Sequence, residues 1–235
     1  MTSVIIPLGH GSRNNDLELR YCLRSMEQYL TGYGDVFIIG RKPGWLKNVI
    51  HIPFDEGFAP QGYEKERNIY NKIMAACADD RVTDDFLFMN DDHFLKAQHE
   101  ANRFPFCSCG RLSDKLTVTD YKYTVNNTMS VLWPTDPAYA DIHCPILYNK
   151  HLFKALEEYD WQVKFGYCIK TLYCHRWSRF THKVADMKID AKYSAEQITQ
   201  AIKGRPWFSI GDKAFDGEIV QVLQELYPTK SKYEL

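Results

Sequence analysis

The chain has no long apolar run. Its longest stretches, Ser3 to Leu8 and Phe86 to Met89, fall far short of the roughly 20 residues that cross a bilayer. No charged-then-apolar leader opens it, so a soluble protein that stays in the cytoplasm is expected. Charge of one sign is missing too: Lys+Arg number 29 and Asp+Glu 30, a net charge of -1. No global field draws such a chain to nucleic acid or acidic lipid, and a partner of that kind must be met by a local patch. A cysteine framework is absent as well. The seven cysteines are an odd number without scaffold spacing, and Cys107-Ser108-Cys109 is one residue tighter than a zinc-ribbon pair, with no second pair at finger distance. Free thiols in a reducing compartment are expected. Neither an internal repeat nor a low-complexity linker interrupts the 235 residues, which are expected to form one continuous domain.

What is present is an alternation of strand and helix patterns over the first 95 residues, the signature of a parallel sheet covered by helices. Ser3 to Leu8 reads as a first strand that ends in the loop Gly9-His10-Gly11-Ser12-Arg13. Asp16 is placed to cap a helix whose apolar face runs from Leu17 to Leu30. Strands are expected at Asp35 to Gly40 and Asn48 to Pro53, and a helix from Glu64 to Ala78. From about 96 to 140 helix signals are few, and extended segments and loops are expected. Helical patterns return at Asn149 to Tyr159, Tyr167 to Trp177 and Gly217 to Leu226.

The apolar run Phe86 to Met89 leads straight into Asn90, Asp91 and Asp92. Adjacent carboxylates at the end of a buried strand repel each other unless water or a cation reaches both. Mg²⁺ or Mn²⁺ resolves the conflict and leaves room for diphosphate oxygens, making the three residues a candidate site for a nucleotide diphosphate, with Asp92 on the metal and Asp91 on the metal or on ribose or sugar hydroxyls. A solvated strand-to-turn edge in which Asp92 caps the next segment is the alternative.

Other candidates carry paired readings. Gly9, Gly11 and Ser12 allow close backbone approach to a nucleotide, with Arg13 or Arg20 to pair phosphate oxygen. Arg20 and Arg24, one turn apart, could equally form a solvated stripe or bridge to Glu27. His143 could ligate the metal or take a proton from an acceptor hydroxyl, or be an ordinary loop histidine. Asp141 could orient it or act as base, and Asp212 could enter the cleft, though both suit caps. The stretch from 164 to 192 sets Lys164, Lys170, Arg176, Arg179, Lys183, Lys188 and Lys192 against Asp186 and Asp190, with Phe165, Tyr167, Tyr173, Trp177 and Phe180 interleaved. That composition suits a nucleic-acid acceptor, or a core beneath a solvated basic face.

Arg13-Asn14-Asn15-Asp16-Leu17-Glu18-Leu19-Arg20-Tyr21-Cys22-Leu23-Arg24-Ser25, then Pro43-Gly44-Trp45-Leu46, then Phe86 to Asp92, resembles the Stealth family of sugar-phosphate transferases, whose motifs run R-x-x-D-x-x-E-L-R-Y-S-L-R-S, P-x-W-L and F-x-x-x-N-D-D in that order. Asp141-Ile142-His143-Cys144-Pro145, Ser209-Ile210-Gly211-Asp212 and Pro228 to Glu234 resemble later motifs of the same family. The resemblance implies a glycosyltransferase-A-like α/β fold of Rossmann type, with a nucleotide-binding half at 1–95 and an acceptor-binding half with a C-terminal elaboration at 96–235. It places Asn90-Asp91-Asp92 where that superfamily keeps its metal motif. The first strand-loop lacks the family's acid and Trp, and Gly211-Asp212 stands for its Asn-Asp. The expected reaction is therefore metal-dependent transfer of a sugar from a nucleotide-diphospho-sugar to a hydroxyl acceptor, a glycan or a modified nucleic-acid base. Sugar-1-phosphate transfer is the alternative, and a non-catalytic carbohydrate- or nucleic-acid-binding module stands behind it.

Overall fold

A computed structural model describes residues 1–10, 12, 14–55, 64–117, 119–177 and 182–235. In chain order the elements are β1 (Thr2–Leu8), α1 (Leu17–Tyr29), β2 (Leu30–Thr31), β3 (Tyr33–Gly40), β4 (Ile50–Ile52), α2 (Lys65–Ala78), β5 (Asp85–Phe88), β6 (His93–Leu95) and β7 (His99–Glu100). Next come β8 (Cys107–Ser108), α3 (Tyr121–Leu132), β9 (Ile146–Asn149), α4 (Lys150–Lys154), α5 (Ile169–Arg176), β10 (His182–Lys183), β11 (Lys188–Ile189), α6 (Ala195–Ala201), β12 (Trp207–Ile210) and α7 (Gly217–Leu226).

The central sheet has the order β4-β3-β1-β5-β9. The first four strands run parallel and β9 pairs antiparallel with β5, Phe86 opposite Tyr148 and Phe88 opposite Ile146. Strands covered on both faces are apolar throughout, and successive side chains go to opposite cores. Val4, Ile6, Val36, Ile38 and Leu87 join one core with Leu19, Cys22, Leu23 and Met26 of α1, and with β6, β12 and α7. Ile5, Phe37, Ile39, Phe86 and Phe88 join the other with Tyr70 and Ile73 of α2, Phe153 of α4 and Leu172 of α5.

β1 lies between β3 and β5, and the chain moves outward from it in both directions. The carboxyl ends of β1 and β5 therefore flank a topological switch point, the place where open α/β sheets form a ligand crevice. Close approach there is built in. Gly40, paired with Leu8, has φ +110°, and a Cβ would stand 2.2 Å from the Leu8 carbonyl oxygen. Beyond β5 the chain turns through Asn90–Asp92 into β6, which belongs to a second sheet of order β11-β12-β6.

Several expectations are corrected. Asp16 makes no cap bond: it is buried in a left-handed conformation, and its carboxylate pairs with Arg41. The region from 96 to 140 contains the twelve-residue α3. The helix expected from Asn149 begins only after Asn149 has ended β9, and its short first segment passes into a 3-10 turn over Ala155–Glu158. All seven cysteines are free thiols. No helix among the described residues is long and apolar enough to cross a membrane.

Candidate active site

The acid turn sits between the two sheets, with α1 beneath it. Cys22 of α1 donates toward the Asn90 carbonyl at 3.5 Å, and Glu18, one turn earlier, is buried. Asp91 and Asp92 are half-buried. Ser209 of β12 donates to Asp92 Oδ2 at 2.9 Å, whereas Oδ1 of the same carboxylate is buried without a partner. His93 is equally unfinished. Its Nδ1 accepts from the Asn90 amide at 3.2 Å, its Nε2 makes no hydrogen bond but faces Asp92 Oδ1 at 3.9 Å, and burial with the charges of Lys170, His143 and Lys188 keeps it neutral. Burial, followed by the charges of Asp92, Glu18 and Asp212, pushes the Asp91 carboxyl up to about 8. Asp212, exposed in the turn after β12, thus reaches this turn through its field. Among the described residues no three His, Cys, Asp or Glu side chains are gathered to chelate an ion. The set is two carboxylates with an orphaned oxygen and no cation, which fits a hard dication completed by oxygens of a ligand.

A cleft of about 430 Å³ adjoins the turn at the carboxyl edge of the sheet, with Asn90 in its wall. The first turn of α2 contributes Lys65 and Glu66, α3 contributes Tyr121 and Thr124, and the segment before β9 contributes Tyr139, Asp141 and His143. Asp91 and Asp92, next in the chain after Asn90, do not themselves line the cleft.

Asp141 does not orient His143. Its two oxygens accept the amides of Lys170 and Thr171 at 2.9 and 2.8 Å, closing the open start of α5. Lys170 in turn is buried and donates to the carbonyls of Ile142 and Cys144 at 2.7 and 2.6 Å, which fixes the loop carrying His143. The orienting carboxylate is Asp186, 2.9 Å from His143 Nδ1, a partner that sequence reasoning counted only as an acid within the basic stretch. Burial works to raise Asp186, but the His143 bonds hold it below the usual carboxylate range. His143 Nε2 remains open to a ligand.

Arg20 and Arg24 are not free for phosphate, nor do they bridge to Glu27. Arg24 grips Glu234 through Nε and NH2 at 2.7 and 2.8 Å, and Arg20 adds a third contact at 3.2 Å while lying over the Trp45 ring. Ser12 serves its own loop, donating to Glu18 and accepting from the amides of Asn14 and Asp16. The Gly9 carbonyl accepts from Arg41. Gly11 and Arg13 lie outside the described residues, as do Arg179 and Phe180. Of the basic stretch, Lys170 is buried, Arg176 pairs with Glu158, Lys188 is in the cleft wall, and Tyr167 and Tyr173 are core. Sequence reasoning missed Glu66, whose setting in a charged helix start, Glu64-Lys65-Glu66-Arg67, gave no signal.

No family model and no curated protein matches the chain. Among solved structures, the apo bifunctional glycosyltransferase WbbM aligns with a TM-score of 0.51 at 11% identity, over 97% of this chain and 50% of that one. The chain thus spans half the length of that structure. A glycosyltransferase involved in glycosylation of the major capsid of PBCV-1 aligns at 0.44 and 13% identity, over 96% and 99% of the two chains. GlyE of Streptococcus pneumoniae TIGR4 aligns at 0.39 and 9%, over 97% and 60%. The mostly parallel sheet, its flanking helices and the shared architecture with WbbM make the fold glycosyltransferase-A-like.

Proposed function

We propose that the chain is a glycosyltransferase that holds a nucleotide-diphospho-sugar at the switch point and passes the sugar to a hydroxyl acceptor in the adjoining cleft. The observation that carries this reading is the uncompensated acid pair: Asp91 raised to about 8 and Asp92 with a buried orphan oxygen, at the carboxyl end of β5. Mn²⁺ or Mg²⁺ would be held by Asp91 and Asp92, and would supply Lewis-acid neutralisation of the diphosphate leaving group. The chain's own groups do the rest. Gly9 comes directly after β1, its carbonyl held by Arg41, and offers backbone to the donor. Asn90 stands where donor site and cleft meet, and His143, fixed by Asp186, contributes Nε2 on the cleft side.

The likeness to Stealth motifs falls in part on Arg20, Arg24, Trp45, Ser231 and Glu234, which hold the fold. It therefore favours a shared architecture over a shared sugar-1-phosphate reaction.

The test is a melting-temperature panel of UDP-, GDP- and dTDP-sugars with and without Mn²⁺, on wild type and Asp92→Ala. Ligand at 100 times Kd stabilises by about 2.7 kcal/mol, and at ~2–4 °C per kcal/mol the rise is about 5–10 °C. That rise is expected only with Mn²⁺ and only in wild type, accompanied by release of nucleoside diphosphate. Release of monophosphate would select sugar-1-phosphate transfer, and no shift with any member overturns the donor reading.

A further inference from the structure

The polar groups of the cleft can be accounted for one by one. Asp141 and Lys170 are spent on backbone. The Tyr121 and Tyr139 hydroxyls are 2.9 Å apart, and Tyr139 donates to the Asp141 carbonyl. Thr124 donates to the Phe165 carbonyl. Among the described residues, the side-chain groups left without a hydrogen-bond partner are the Asn90 carboxamide, His143 Nε2, the buried Tyr148 hydroxyl, Lys65, Lys188 (3.6 Å from Asp190), the exposed Asp120 at the rim, and Glu66.

Glu66 is the half-buried acid of that set, and its position is built. It lies in the first turn of α2, which packs against Gly166. There φ is +58°, and a Cβ would stand 3.0 Å from Glu66 Cβ and 3.4 Å from the Arg67 amide. Asn127 of α3 donates to the carbonyls of Lys164 and Gly166, clamping the segment against which the turn rests. The charged and titratable groups facing Glu66 are Lys65 of α2, Asp141, Lys170 of α5, Tyr121 of α3 and Cys168. Burial raises its carboxyl, Asp141 adds to the rise, Lys65 and Lys170 oppose it, and the result is about 7. An acid that exchanges its proton near neutral pH, unbonded and fixed in the wall of the cleft that Phe88 and Asn90 also line, is suited to general base work.

We propose that Glu66 takes the proton of the acceptor hydroxyl as that oxygen attacks the anomeric carbon of the donor sugar. This role rests on the donor reading above. The acceptor O–H bond breaks and its proton goes to a Glu66 oxygen. The acceptor oxygen bonds to the anomeric carbon, the carbon–oxygen bond to the diphosphate breaks, and its electron pair leaves on the diphosphate. Glu66 then returns the proton to water.

The experiment compares wild type, Glu66→Gln and Glu66→Asp. One readout is nucleoside diphosphate release from UDP-glucose, UDP-galactose and GDP-mannose with Mn²⁺ and water as acceptor. The other is the melting-temperature rise with the same ligands. Glu66→Gln should lose about 10²-fold or more in turnover, and with it the rise of kcat/KM through pH 7, while keeping the wild-type melting shift. Glu66→Asp should recover part of the rate. Turnover in Glu66→Gln within threefold of wild type, or loss of the melting shift together with the rate, overturns the assignment while leaving the donor site standing. A wild type with no melting shift overturns the donor reading, and this role with it.

Discussion

Helix α1 faces two carboxylate sites, and they are opposites. Arg20 and Arg24 turn to Glu234, which also accepts from the Ser231 amide at 3.0 Å; its side chain is fully excluded from solvent. Burial works to raise Glu234, but the Arg24 hydrogen bond, Ser231 and Arg20 hold it down at about 2. Glu18 and Cys22, on the other face, turn to Asp91 and Asp92, where no Lys or Arg among the described residues pairs with the acids and the same kind of burial lifts Asp91 to about 8. Where a fold neutralises its own buried acid, the motif is architecture. Where it leaves acids facing one another, stability is given up, which is the ground for the donor site proposed there.

The contrast breaks most visibly at Glu234. Glu234→Ala leaves two guanidinium groups facing a vacated buried site, and a loss of about 3–5 kcal/mol is expected from urea unfolding. In wild type the contribution of this carboxylate is complete above its ordinary 4.5 and disappears as pH falls toward 2, so the variant should show a flatter acid limb of stability. Asp91→Asn has the reverse sign. An acid titrating near 8 in the fold and near 3.8 outside it makes the protein lose stability as pH rises between those values. The amide should therefore stabilise by about 2 kcal/mol at pH 8 and remove that slope from the melting curve, while abolishing the Mn²⁺-dependent nucleotide shift. The smallest effect concerns the cleft. Asp186→Asn keeps the shape but weakens the hold on His143 Nδ1, and should lower turnover about 10-fold with little change in melting temperature.

The parts of the fold legible in the sequence are those in which period and burial agree. β1, β3 and β5 carry the apolar runs Val4 to Leu8, Val36 to Ile39 and Phe86 to Phe88 because both faces are covered, and α1 shows its stripe in Leu19, Leu23 and Met26. Helix α3 was illegible because its composition, Thr124, Val125, Asn126, Asn127 and Thr128, is that of a loop. Those polar residues have tertiary work: Thr124 and Asn127 hold the carbonyls of residues 164–166, and Thr128 accepts the Cys168 amide. Burying Val125 and Leu132 adds about 1.5–3 kcal/mol each, which helps offset the weak propensity. Strand β9 is four residues long and runs straight into a capped helix, so its period never develops. At the site, two adjacent acids after an apolar strand are visible to any reader of the chain. Which carboxylate orients His143, and that Glu66 enters the cleft, depend on contacts between residues far apart in sequence. The pairing of Asp16 with Arg41 in place of a cap is of the same kind.

The bond between Arg24 and Glu234 joins positions 210 apart. A ribosome therefore releases α1 long before the carboxylate that neutralises its two arginines has been made. Closing so large a loop slows folding. It also means that cutting the gene after β5 would yield no tractable fragment: β5 would lack its neighbour β9, β6 its neighbour β12, and α1 its counter-charge.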